Sequence, residues 1–155
     1  MTTKSLPTVE NVDLEKYMGK WYDIAHFPAT FLEGCENITA EYTITGKNYV
    51  KVFNRCVKGK TGKVSSIRGK AFIVKGSKNS KLKVQFFWPF RADYWIIELD
   101  ENYQYAAIGG PKRTYAWVLA RTPAPDEKMV KKMIDSLEKE GFDVNKLERT
   151  RHTEE

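Results

Sequence analysis

The chain is poor in the residues that most catalytic chemistry needs. Its 155 residues include two histidines and two cysteines. His26 and His152 lie far apart, and no group of ligating side chains falls at metal-binding spacing. There is no Gly-x-Ser-x-Gly elbow and no phosphate-binding glycine loop. The sequence therefore names no catalytic residue, no metal and no cofactor. No apolar run approaches the ~20 residues of a helical membrane span. The opening stretch, Met1-Thr2-Thr3-Lys4-Ser5-Leu6-Pro7, lacks the apolar core of a secretory signal. With no repeat, low-complexity stretch or linker, one domain with one sizeable core is expected at this length.

Charge and aromatics are plentiful. Net charge is +6, 30% of residues are charged and 13% are aromatic. The cations are scattered through turns and alternate strand positions (Lys47, Lys51, Arg55, Lys58, Lys60, Lys63, Lys70, Lys75, Lys78, Lys81, Lys83), the pattern of a solvated outer face. A mild attraction to anionic lipid or an anionic ligand is the functional alternative. Nucleic acid is not an expected partner, because no basic helix or RNA-binding motif is present.

The dominant period is two. Residues 1–18 read as an extended leader ending in a turn that Asp13 can cap. A first strand over about 20–30 follows Gly19, with Trp21, Asp23, Ala25 and Phe27 on one face and Tyr22, Ile24 and His26 on the other. On strict alternation Asp23 points inward, where a water-linked or tyrosine-paired carboxylate is expected. Ile38, Ala40, Tyr42 and Ile44 alternate with polar residues, and Gly46-Lys47-Asn48 makes a hairpin turn into Val50, Val52 and Asn54. Pairing Thr45 with Tyr49 sets Tyr42 opposite Val52 and Ala40 opposite Asn54. That register also brings Cys56 opposite Ile38, three residues from Cys35. If the chain bends near Gly34, Cys35 and Cys56 come within disulfide range; the alternative is two buried thiols in a reducing compartment. Further strands are read at 64–74, 81–87, 93–99, 104–109 and 114–121, with an aromatic loop at Phe87-Trp88-Pro89-Phe90.

Eight strands joined by short turns, with no helix between them, exclude parallel crossovers. The expected fold is all-β: an eight-stranded up-and-down antiparallel barrel over residues 19–122. The period then changes to that of a helix over 125–140, with Pro125 at the first helical position and Met129, Val130, Met133, Ile134 and Leu137 on one stripe. It is expected to pack outside the barrel, against Tyr22 and Ile24. A terminal strand, 144–150, is available to the first strand's edge, and 151–155 read as disordered. Closure makes the first and last strands neighbours, so Arg121 can lie on the indole of Trp21 just after Gly19. The inward parity mixes small residues (Ala40, Gly69, Ala71, Ala107) with Tyr42, Val52, Asn54, Phe86, Tyr105, Tyr115 and Trp117. Small residues that leave room between aromatic walls suggest a ligand cavity.

Three segments, in order and at matching spacing, resemble the lipocalin signatures: Gly19-Lys20-Trp21-Tyr22-Asp23-Ile24-Ala25, then Tyr94-Trp95-Ile96-Ile97-Glu98-Leu99-Asp100-Glu101-Asn102-Tyr103, then Trp117-Val118-Leu119-Ala120-Arg121-Thr122-Pro123. Asn54-Arg55-Cys56, Phe86-Phe87-Trp88-Pro89-Phe90 and Gly141-Phe142-Asp143 add a likeness to bacterial outer-membrane-lipoprotein lipocalins, apolipoprotein D and plant temperature-induced lipocalins. The resemblance implies binding of a fatty acid, lysophospholipid or similar amphipathic lipid without catalysis. It implies that Trp117 lines the pocket and that Gly19, Trp21 and Arg121 close the far end. A thiol-dependent enzyme acting on a lipid in the same barrel is the alternative. Membrane association is left open, and the chain is expected as a monomer or homodimer. The location it implies is periplasmic or outer-membrane-associated if a leader was removed, and cytoplasmic if Met1 is the native start.

Overall fold

A computed structural model describes residues 5–153. The part of the opening stretch before Ser5, and the last two residues of the expected disordered tail, lie outside the described residues.

The leader runs along the barrel, where Val9 N–H donates to the Ile96 carbonyl and Val12 N–H to the Lys78 carbonyl. It turns into a short helix, α1 (Leu14–Tyr17), whose Asp13 cap accepts from the backbone N–H groups of Glu15 and Lys16. The strands follow as β1 (Gly19–His26), β2 (Cys35–Ile44), β3 (Val50–Lys58), β4 (Val64–Ile73), β5 (Lys81–Phe87), β6 (Phe90–Leu99), β7 (Tyr105–Gly109) and β8 (Ala116–Ala120). Each pairs antiparallel with the next, and β1 pairs with both β2 and β8, which closes the barrel. The hairpin register is the expected one, with Ala40 opposite Asn54 and Tyr42 opposite Val52. A barrel of this size leaves no long sheet edge unpaired.

Register shifts interrupt the β1–β8, β2–β3, β5–β6 and β6–β7 pairings. The β1–β8 register shifts between Asp23 and Ala25. Asp23 then pairs with Leu119 and His26 with Trp117, so both lie on the inner face, whereas Ala25 joins Val118 on the outer face. The expected outward His26 and inward Ala25 are corrected by that one extra residue. On β2 the register shifts between Glu36 and Thr39, where Asn37 has a φ of 53°. This bulge brings Cys35 to Cys56, with Cα atoms 5.5 Å apart and a disulfide between them. The expected bend at Gly34 is there as well, with a φ of 73° next to Cys35.

Helix α2 (Glu127–Lys139) begins one residue after its cap, Asp126, whose carboxylate accepts from the Lys128 N–H. Pro125 therefore precedes the cap rather than opening the helix. Helix α2 sits over β7, β6 and β8 rather than chiefly on the expected Tyr22 and Ile24 of β1, and its buried Val130, Met133 and Leu137 share one apolar cluster with Ala107, Val118, Ala120 and Ile24. A two-residue strand, β9 (Glu148–Arg149), pairs with Ala25 and His26 of β1 after a 3-10 turn at Val144–Lys146. Residues 151–153 are ordered by contact: Asn37 N–H donates to the Arg151 carbonyl, and Asn37 and Thr153 bond side chain to side chain and to backbone. The tail fills the place where β1 leaves β2, which the sequence did not suggest.

Candidate functional site

The alternating connections of a meander divide the barrel into two ends. One end, the floor, holds α1 and the connections at 45–49, 74–80 and 100–104. The other, the mouth, holds the connections at 27–34, 59–63, 88–89 and 110–115.

At the floor, Gly19 takes a φ of +98°, which a side chain would strain. Trp21 follows with no solvent exposure, and its indole N–H donates to the Tyr17 carbonyl at 2.8 Å. The Arg121 guanidinium sits 3.8 Å from the centre of the Trp21 ring. It also donates to the carbonyls of Lys16, Lys20 and Tyr103, tying α1, β1 and the β6–β7 turn together. Asp100 holds that turn by accepting from the N–H groups of Asn102, Gln104 and Tyr105.

Above this seal lies a chain of three phenols. Tyr42 donates to the Tyr94 hydroxyl at 3.0 Å, and the Tyr17 and Tyr94 hydroxyls are 2.6 Å apart. Burial pushes Tyr42 up to about 12, and burial drives Tyr17 and Tyr94 well above the ordinary phenol range. All three are neutral donors at physiological pH. The free space bounded by Tyr17, Met18, Tyr42, Val50, Ala71, Leu82, Val84 and Tyr94 is about 10 Å³, room for one water at most. The room expected beside Gly69 is taken by a ring: a Cβ there would meet Phe86 at 2.6 Å.

Toward the mouth part of the inner face opens, while Asp23 and His26 on β1 stay buried. On β3, Val50 and Val52 are buried and Asn54 is half-buried; on β5, Leu82 is buried while Val84 and Phe86 are half-buried. On β2 and β8 the same gradient runs from Tyr42 to Ala40 and from Leu119 to Trp117. Tyr115 packs 5.4 Å from Trp117 and donates to the Asp93 carbonyl at 2.5 Å; burial raises it to about 12. The Asn54 side-chain oxygen is buried without a partner. One oxygen of Asp23 is likewise unpartnered; the other accepts from Thr150 at 3.0 Å and lies 3.2 Å from His26 Nδ1. Asp23 is thus paired with His26 and Thr150 rather than with a tyrosine or water alone. Burial works against protonation of His26, but the hydrogen bond and charge of Asp23, with Glu148, outweigh it and raise the His26 pKa. His152 also reaches this cluster, donating from Nε2 to the Asp23 carbonyl at 2.7 Å.

Ala40, Tyr42, Val52, Ala71, Phe86 and Trp117 fall in or against the inner cluster. Tyr105 and Ala107 do not. They lie on the outer face beneath α2, where the Tyr105 hydroxyl accepts from the Asp126 N–H. The cause is the β6–β7 register, in which Ala106 and Ile108 face inward. Tyr17 and Tyr94 were missed. Tyr94 sits in a strand apolar on both parities, because Ile97 and Trp95 face the helix side while Tyr94 and Ile96 face inward. With Cys35 joined to Cys56, no free cysteine remains among the described residues, so the thiol-enzyme alternative lacks its nucleophile.

The family model described as a lipocalin-like domain matches residues 12–152. The chain belongs to the lipocalin family. It is 39% identical over 145 residues to the outer membrane lipoprotein Blc of Vibrio cholerae, covering 93% of this chain and 85% of that protein. It is 35% identical to temperature-induced lipocalin-1 of Arabidopsis thaliana, covering 95% and 83%. Its identity to apolipoprotein D of Macaca fascicularis is also 35%, covering 92% and 78%. Among solved structures, insecticyanin of Manduca sexta matches with a TM-score of 0.80 at 19% identity, covering 99% of this chain and 87% of that one. Lobster apocrustacyanin A1 matches at 0.75 and 15% identity, covering 99% and 94%. Lipocalins bind small hydrophobic ligands; of the signature residues, Gly19, Trp21 and Arg121 lie at the floor and Trp117 on the half-buried inner face.

Proposed function

We propose that this lipocalin binds an amphipathic lipid, a fatty acid or lysophospholipid, in the mouth half of its barrel and carries or stores it without catalysis. The observation that carries this reading is the accessibility of part of the inner face: Tyr42 and Leu82 are buried near the floor, while Ala40, Asn54, Val84, Phe86 and Trp117 above them are half-buried beside the buried Asp23 and His26. An acyl chain entering there meets apolar and aromatic walls, at ~0.8 kcal/mol per buried methylene. The unpartnered oxygens of Asn54 and Asp23 are acceptors for a ligand hydroxyl or a protonated head group. The lower barrel is packed, so a long tail enters only as far as the half-buried side chains shift. The relatives named outer membrane lipoproteins support a periplasmic or outer-membrane-associated location.

The test is a titration with monomeric palmitate and with a lysophospholipid, read by tryptophan fluorescence. A saturable quench is expected, with most of its amplitude absent in Trp117→Phe. No saturable change, or an unchanged amplitude in Trp117→Phe, contradicts the reading.

A further inference from the structure

The connections at the mouth carry large apolar side chains that the barrel leaves outside. Phe87, Trp88 and Phe90 are 70%, 82% and 76% exposed, and Phe31, on the β1–β2 connection across the mouth from them, is 69% exposed. Phe87 and Phe90 are paired across the β5–β6 hairpin, so they and Trp88 lie at its tip. The floor differs. Its exposed large apolar side chains among the described residues are Ile44 and Ile73, at 43% and 40%, and neither is aromatic.

Charge divides the same way. The mouth connections hold Lys60, Lys63, Lys112 and Arg113 against Glu33. At the floor, Lys16, Lys47, Lys75 and Lys78 are offset by Asp13, Glu15, Asp100 and Glu101. Exposed phenyl and indole rings bordered by cations match a water–lipid boundary bearing anionic head groups, where aromatic rings settle and lysines meet phosphates.

We infer that the mouth docks onto an anionic bilayer, with Phe31, Phe87, Trp88 and Phe90 entering the head-group layer and the surrounding cations resting on it. A lipid bilayer fits better than a second copy of the chain, because two such mouths would bring the same cations face to face. The docking itself needs only the loop tips. Its consequence, that a lipid passes between bilayer and lumen without crossing water, rests on the carrier reading above.

The test is sedimentation with mixed phosphatidylcholine–phosphatidylglycerol vesicles, comparing wild type with the triple variant Phe87→Ser, Trp88→Ser, Phe90→Ser. Because these side chains are exposed, the variant is expected to melt with wild type. Its partition coefficient is expected to fall by about tenfold or more. Wild-type binding should weaken on pure phosphatidylcholine and in high salt. A blue shift of tryptophan emission on adding vesicles should disappear in Trp88→Ser. Equal partitioning of the two proteins, or no partitioning of wild type, overturns the proposal. So does a wild-type dimer that the triple variant dissolves without any vesicle binding. Monomeric lysophospholipid should bind the variant and wild type alike. If neither binds it while wild type still sediments with vesicles, the carrier reading fails and the docking stands.

Discussion

At the floor of the barrel, Trp21 is wholly buried under the Arg121 guanidinium, and three tyrosine hydroxyls share one chain of hydrogen bonds. At the mouth, Phe87, Trp88 and Phe90 are each at least 70% exposed, and the inner face beneath them is half-open. The floor is held by packing and by a cation that reaches three separate carbonyls. The mouth is held by a disulfide and by a tail strand laid along β1. One end is built for rigidity, and the other leaves apolar surface available to something outside the fold. Stability and ligand binding should therefore separate along the barrel axis.

The largest effect is expected from Trp21→Ala, which empties a fully buried site and removes the surface on which Arg121 lies. A loss of about 3–5 kcal/mol in denaturant unfolding is expected, with ligand preference unchanged in the folded fraction. A normal melting temperature with lost lipid binding would move the binding site to the floor. Removing the Cys35–Cys56 bond by a double serine variant opens a loop of sequence separation 21. It is expected to cost about 3 kcal/mol, read by the unfolding midpoint with and without reductant. Tyr94→Phe deletes the hydroxyl that Tyr17 and Tyr42 share, for a smaller loss of about 1–3 kcal/mol. If that variant is as stable as wild type, the phenol chain belongs to the ligand site rather than to the seal.

The smallest effect is a pH dependence at the join between β1 and the tail. Burial opposes the charged form of His26, but Asp23 and Glu148 favour it more, so its folded pKa lies above its unfolded value of 6.5. The stabilisation is therefore complete below pH 6.5 and is lost as pH rises through the folded pKa. Unfolding free energy should decline across that window, and His26→Asn should flatten the decline. A profile that rises with pH there would contradict the pairing with Asp23.

Much of this was legible in the sequence because period-two alternation survives wherever one face is wet. The β2–β3 register followed from Gly46-Lys47-Asn48, and the helix stripe from Val130, Met133 and Leu137. Alternation fails where a bulge adds a residue. The shift at Asp23/Ala25 put His26 inside, and the shift between Glu36 and Thr39 brought the cysteines together. It also fails where both faces are covered. On β6 and β7 the helix side and the lumen side are equally apolar, so Tyr105 and Ala107 were placed inward and Tyr94 was overlooked. The tail was misread for a different reason: Arg151, His152 and Thr153 are polar, and what holds them are Asn37 and Asp23, over a hundred residues away.

The most direct measurement is the dissociation constant for one lysophospholipid in two variants, Trp117→Ala and Arg121→Ala, at a temperature where both are folded. The half-open mouth wall should carry the affinity, so Trp117→Ala is expected to weaken binding by about tenfold or more while Arg121→Ala leaves it near wild type. The reverse order, with Arg121→Ala losing the ligand and Trp117→Ala keeping it, would contradict the division between a sealed floor and a binding mouth.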